Sequence, residues 1–431
     1  MGIALPHRAM AVTDEEFNAL KDLVTQQGKR IDQLDKTHEQ DQKTHEQDQQ
    51  QIERLKQQLG DTQTAVTNAM QKAEAAAQVQ PVSPVPPGPA ATHNFTMAGD
   101  AEIQFGKTSA QHSTFALADF APIFLFRAND NVLFEAGFDI TLQNNSNPDG
   151  SRAAGSSTSV DLSFATLDYL FNDYVTFVGG DMLLPLGTYS ERSAGWLNKI
   201  PDDPLPRDFL PGSGVGVQLR GAVPVGPSGQ AITYSVYGVN GPSSSSTNGT
   251  ANSGDLDLSG NAGDTPNWHS NPSGGARIGW FVPWQPHYDL ELGLSGQSGE
   301  WSDSGNRLWS AAVVDAALHI SPYFEMKGEY INTWAQTDDM GTLRPRGWWV
   351  QVGYKLAGLD LELPLVNNLE LVGRYDTENN GQGTKTDRYT AGYVYYFSNT
   401  LLFEGDYEYR YSRGPGAMAP NAFVLQLSYG F

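Results

Sequence analysis

Two periods divide the chain. From about residue 14 to 77 apolar side chains recur every seven positions, and from Phe95 onward they recur every second position. The first period belongs to a supercoiled helix and the second to half-buried strands.

In the heptad region, Phe17, Val24, Ile31, Ile52, Leu59 and Val66 occupy one core position, and Leu20, Leu34 and Leu55 the other. The register holds over nine heptads without a slip. This predicts an α-helical coiled coil over residues 12–78, about 95 Å long at about 1.5 Å per residue. A helix this polar is marginal alone, so these apolar positions are expected to hold an oligomer together. The tandem repeat from Thr37 to Gln49 places His38 and His45 at one core position and Asp41 and Asp48 at the other. Stacked histidines suggest a metal or anion site, or a pH switch. Hydrated spacer layers that fix register are the simpler reading. Residues 79–93 follow, with Pro81, Pro84, Pro86, Pro87 and Pro89. They cannot be helical and read as an extended linker.

The period-2 region, 94–431, is clearest at its end. Phe423, Leu425, Leu427, Tyr429 and Phe431 alternate with Val424, Gln426, Ser428 and Gly430. Sixteen such segments are legible: 95–105, 114–127, 132–143, 158–169, 174–184, 214–223, 231–240, 275–282, 288–298, 307–319, 323–334, 347–356, 368–376, 387–397, 400–411 and 421–431. Broken alternation predicts bulges near Asp119 and at Gly179-Gly180. Connections alternate too. The odd ones, such as 144–157, 185–213, 241–274 and 412–420, are long and rich in Gly, Ser, Asn or Pro. The even ones are short, except near 357–367. This is the layout of an all-β transmembrane barrel of about sixteen antiparallel strands, with short turns at the periplasmic rim and long loops outside. Eighteen strands would require a hairpin hidden in 241–274.

Composition agrees. No apolar run approaches the roughly 20 residues of a membrane-spanning helix, so a membrane form must be a closed barrel. A mean hydropathy of −0.42 beside 19 Phe, 18 Tyr and 9 Trp fits faces that cancel in the average. The chain has no cysteine, which suits an oxidising envelope. A net charge of −22 argues against nucleic acid as a partner. Ala9-Met10-Ala11 resembles a secretory cleavage site, so residues 1–11 read as a signal-peptide remnant. No cofactor motif or nucleophile motif is present, and His269, His287 and His319 are scattered, so no enzyme is expected.

Sixteen strands leave an aqueous lumen. Alternation assigns its wall fourteen carboxylates, among them Glu325, Glu329, Glu370, Glu404, Asp406 and Glu408. It assigns seven bases: Arg220, Arg277, Lys327, Lys355, Arg374, Arg388 and Arg410. The excess of acid predicts a mild cation preference.

The order of coil, Pro-rich linker, barrel and terminal Phe431, with Pro185-Leu186-Gly187 and Trp196-Leu197-Asn198-Lys199 in the third long loop, resembles a known family. It looks like the trimeric outer-membrane porins of the phosphate-selective O/P-like and coiled-coil-bearing dicarboxylate type. The resemblance implies a homotrimer in the bacterial outer membrane with its coil in the periplasm. It implies lipid and lipopolysaccharide around the barrel, and assembly-machinery recognition of the last strand. It also implies a third loop folded into the lumen, where Glu191, Arg192, Lys199, Asp202, Asp203, Arg207 and Asp208 would form the constriction. A dense Lys/Arg ladder, expected for phosphate selectivity, is absent from the sequence. The expected activity is passive diffusion of ions and small hydrophilic solutes. Alternatives are a tether to peptidoglycan that also carries a pore, or a porin specific for dicarboxylates or sugars. Inward aromatics are few for a sugar slide: Tyr237, Phe281, Trp309, Trp349 and Tyr396.

Overall fold

The computed structural model describes residues 94–109, 114–146, 152–189, 197–226, 229–244, 252–258, 272–302, 306–361, 363–417 and 419–431. The expected signal remnant, the coiled coil with Phe17, Leu20, Val24, Ile31, Leu34, Ile52, Leu55, Leu59 and Val66, and the linker lie outside the described residues.

Sixteen long strands follow one another: β1 (Phe95–Thr108), β2 (Thr114–Arg127), β3 (Val132–Ser146), β4 (Arg152–Asn172), β5 (Val175–Leu183), β6 (Ser213–Val225), β7 (Gln230–Val239), β8 (Ser273–Gln285), β9 (Tyr288–Glu300), β10 (Leu308–Ser321), β11 (Phe324–Gln336), β12 (Arg346–Lys355), β13 (Leu369–Asn379), β14 (Lys385–Tyr396), β15 (Leu401–Arg413) and β16 (Ala422–Gly430). Each pairs antiparallel with its sequence neighbours. β1 and β16 close the ring, in register from Asp100 opposite Gly430 to Thr108 opposite Ala422. Closure leaves no strand edge unpaired. Thr342–Leu343 adds a two-residue extension to the end of β11.

Alternation decides which face meets which surroundings. On β16, Phe423, Leu427 and Tyr429 stand exposed on the outside, while Val424, Gln426 and Ser428 are buried inside. Outward rings form a ladder across neighbouring strands: Trp348, Tyr375, Tyr389 and Tyr409. The last residue is tied to the first strand. The Phe431 amide donates to the Gly99 carbonyl at 2.9 Å, and the Gly99 amide donates to the Phe431 carbonyl at 3.1 Å. Both barrel ends therefore share one rim with the short turns. The exceptional turn after β12 holds two short helical turns, Leu356–Leu359 and Pro364–Asn367. The opposite rim carries the long loops, of which the third (184–212) and the fourth (240–272) are the longest.

The bulges fall differently from the sequence expectation. One is at Ala116, three residues before Asp119, where Gln104 faces Leu117 and Phe105 faces Phe115. The expected bulge at Gly179-Gly180 is absent. β5 keeps unbroken register with β6 and, from Thr176 to Asp181, with β4. A bulge that alternation missed sits instead at Ser163, where Gly137 faces Phe164 and Phe138 faces Leu162. It moves the outward face from Val160 and Leu162 to Leu167 and Tyr169.

Gly180 is explained by backbone conformation. Its φ is +139°, and an added Cβ would lie 2.1 Å from the Ala165 carbonyl oxygen. Gly179 has no such restriction, its nearest neighbour being the Phe177 ring at 3.5 Å. Gly180→Ala is expected to destabilise the barrel by about 1–3 kcal/mol, and Gly179→Ala by much less, measured as urea midpoints of the refolded chain in micelles.

Candidate functional site

The third loop turns inward because its first residues are apolar. Leu186, fully buried, packs with Leu210 against Trp301, Trp309, Ala311, Val313, Ile331 and Ala335. The last five point into the lumen from β10 and β11, sharing parity with Asp315 and Glu329. The polar backbone carried inside must then find partners. Glu329 supplies them. Its Oε1 accepts the Thr188 amide at 2.6 Å and the Tyr189 amide at 2.9 Å, and its Oε2 accepts the Trp349 indole N–H at 3.3 Å. The Gly187 amide donates to Ser295 Oγ at 2.9 Å. Gly187 has φ +72°, and a Cβ there would lie 2.5 Å from Glu329 Oε1, so glycine is what lets the turn approach. The Tyr189 hydroxyl accepts from Asn198 Nδ2 at 2.7 Å and donates to Asp203 at 2.9 Å. Burial, with Asp203 beside it, raises that phenol well above its usual range.

The second half of the loop crosses to β13–β15. Lys199 Nζ lies 2.6 Å from Glu370 and 2.7 Å from Glu325. The Tyr396 hydroxyl donates to the other Glu370 oxygen at 2.6 Å. Ile200, fully buried, packs on Val372, Val394 and Leu402. Asp202 pairs with Arg410 at 2.9 Å. The Asp203 carbonyl accepts from Arg374 and Arg388, and the Leu205 amide donates to Asp376 at 3.1 Å. Behind these contacts Arg374 meets Asp376 at 3.1 Å. Arg388 meets Asp376 at 2.9 Å and Glu408 at 3.1 Å, and Arg410 also pairs with Glu408. Ionised partners make these bonds stronger than neutral ones.

Of the expected constriction residues, Glu191 and Arg192 lie outside the described residues. Lys199 and Asp202 are spent on the wall. Arg207 donates to its own loop at the Leu210 carbonyl, 2.8 Å away. Asp203 and Asp208 keep exposed carboxylates. Partial loss of water around the group and the nearby Asp203 push the Asp208 carboxyl up from its ordinary range.

Of the expected wall residues, Arg220 pairs with Asp168 at 2.6 Å, and Arg277 with Asp315 at 2.8 Å. Lys327 shares a strand face with Glu325 and Glu329. Glu404 accepts from Gln426 at 3.2 Å and Ser428 at 3.4 Å, and Asp406 is buried between Glu404 and Glu408.

Three wall residues escaped the sequence reading, Asp119 among them because it lies just past the Ala116 bulge. Asp376 has the parity of Glu370 and Arg374, so alternation carried to the end of its segment would have found it. Asp168 was hidden by the Ser163 bulge. The wall is also uneven. Glu102 and Asp119 face each other across β1 and β2, the Thr141 hydroxyl can donate its one proton to Asp119, at 3.1 Å, or to Asp139, and Glu404 lies two strands away. Among the described residues no Lys or Arg forms an ion pair with Glu102, Asp119, Asp139 or Glu404.

Lys199→Ala would leave Glu370 only the Tyr396 hydroxyl, and Glu370→Ala would leave Lys199 only Glu325. In a double-mutant cycle read by urea unfolding in micelles, the double variant is expected to lose less than the sum, with a coupling of about 0.5–3 kcal/mol; additive losses would mean the contact does not hold the loop.

No family model matches the chain, and no curated protein matches its sequence. Solved structures do match. Salmonella typhi OmpF, solved in complex with daunomycin, aligns with a TM-score of 0.52 at 12% identity, over 78% of this chain and 97% of that one. The anion-selective porin from Comamonas acidovorans aligns at 0.50 and 11% identity, over 78% and 99%. The outer membrane channel DcaP of Acinetobacter baumannii aligns at 0.49 and 14% identity, over 80% and 99%, too loosely to argue from. At these identities the likeness reaches the architecture alone, and that architecture, a closed barrel of sixteen antiparallel strands, is the fold of the outer-membrane porins.

Proposed function

We propose that this chain is a bacterial outer-membrane porin, a water-filled channel for passive diffusion of ions and small hydrophilic solutes with a mild cation preference. The observation that carries the reading is the third loop, held inside the sixteen-strand ring by Glu329, Lys199 and Asp202. A loop so fastened narrows the lumen and stays put, and Asp203 and Asp208 then stand where a solute passes. The short-turn rim faces the periplasm, the long loops face outward, and lipid and lipopolysaccharide meet the exposed aromatic and aliphatic face.

Selectivity follows from the uneven wall. The arginines of β13–β15 are matched by Asp376, Glu408 and Asp202, so they project little net field. Glu102, Asp119 and Asp139 on β1–β3 have no ion pair with Lys or Arg among the described residues and would concentrate cations beside them. That distribution disfavours phosphate as the solute. Substrate specificity of the dicarboxylate or sugar kind has no comparable support on the wall.

The coil is proposed to bring three chains together in the periplasm, through Phe17, Leu20, Val24 and the further apolar core positions. The terminal strand ending at Phe431 serves barrel assembly, and contact of the coil with peptidoglycan is a joint role open to co-sedimentation with sacculi.

In a planar bilayer under a salt gradient, the reversal potential should have the sign of cation preference, and Asp203→Asn with Asp208→Asn should bring it toward zero; an anion preference in the native chain would refute the assignment. Conductance should rise in groups of three equal steps, and a chain lacking residues 12–78 should give single steps of the same size.

A further inference from the structure

A cavity of about 590 Å³ lies between residues of the third loop and residues of the fourth. That size is within the roughly 300–1,000 Å³ of small-molecule sites. Its lining has two characters. Asp203, Asp208 and Arg207 stand on one part, and Leu183, Leu210, Leu256 and Leu258 on the other. The last two leucines come from the fourth loop, which doubles back by pairing Ser243–Ser244 with Leu256–Asp257. That return is pinned to the sixth loop. The Ser253 amide donates to Asp339 Oδ1 at 2.8 Å, and its hydroxyl donates to Oδ2 at 2.7 Å. Leu256 and Leu258 pack against the same core as Leu186 and Leu210.

The charges do not cancel. Arg207 is turned onto the Leu210 carbonyl. Asp203 accepts the Tyr189 hydroxyl, and Asp208 has no ion pair or hydrogen bond among the described residues. Four charged groups act on Asp208: Asp203 and Glu378 repel its charge, and Arg207 and Arg388 favour it. Partial desolvation and Asp203 prevail and raise its carboxyl. A carboxylate in that condition gains from a cation brought beside it.

We propose that this cavity is a binding site for an organic monocation with an apolar body, its ammonium group between Asp203 and Asp208 and its hydrocarbon against Leu210, Leu256 and Leu258. This goes beyond free diffusion, since it makes one stretch of the path saturable. An inorganic cation would gain nothing from the leucines. A neutral apolar solute would strip water from two carboxylates without replacing it. An organic anion would be repelled.

The test is calorimetric titration of the purified full chain in micelles with benzyltrimethylammonium, beside tetramethylammonium and benzoate. Saturable binding of one benzyltrimethylammonium per chain is expected. Tetramethylammonium should bind at least about tenfold more weakly, for want of a buried ring, and benzoate should not bind. Asp208→Asn and Leu258→Asn, each checked for folding by heat-modifiable migration, should each weaken the probe by at least about tenfold. Equal affinity for tetramethylammonium, binding of benzoate, or affinity unchanged in both variants would overturn the proposal. The titration needs no current, so a chain that fails as a channel still reports on the cavity, and a conducting chain that binds no probe loses only this site.

Discussion

A buried charge must be matched, and that constraint organises the inside of this barrel. The third loop carries backbone amides, a lysine and several aspartates into a space walled by carboxylates and guanidinium groups. The groups that anchor the loop have found partners: the Thr188 and Tyr189 amides on Glu329, Lys199 on Glu370 and Glu325, Asp202 on Arg410. Removing one member leaves the other buried and uncompensated, which costs far more than the pair contributes over an apolar replacement. The loop is therefore fixed by what its release would expose. The leucines at its two ends, Leu186 and Leu210, only set where it enters and leaves.

The barrel itself was legible because its physics is local. A strand between lipid and water must alternate, and its neighbours must be joined by turns that differ at the two rims. Those two signals placed the sixteen strands and the exceptional turn near 357–367 within a few residues, except that β4 begins at Arg152, well inside the loop expected over 144–157. The signal failed where the backbone departs from a simple pleat. The Ser163 bulge reversed parity and hid Asp168. Gly179-Gly180 looked like a bulge, yet the pairing runs through it because Gly180 adopts a φ that other residues avoid. The site was less legible than the fold. Lys199 and Glu370 were each named from sequence, but nothing local joins a loop lysine to a glutamate 171 positions away. Only the folded ring brings them together.

Pairing also shapes what a solute would meet. Had the Arg374, Arg388 and Arg410 side chains faced water alone, they would have made a basic column fit for anions. Their engagement with Asp376, Glu408 and Asp202 turns that column into scaffolding. Carboxylates without an ion pair among the described residues include Glu102, Asp119, Asp139 and Glu404 on the wall and Asp208 on the third loop. The proposed cation preference therefore rests on the distribution of partners rather than on the total charge.

The most direct measurement is single-channel conductance of the native chain beside one in which residues 188–208 are replaced by a short Gly-Ser link. If the fastened loop sets the width of the path, the shortened chain will show a larger conductance and admit larger neutral solutes in liposome swelling. Equal conductance and an equal size limit would contradict the account, because the loop would then lie inside the barrel without narrowing it.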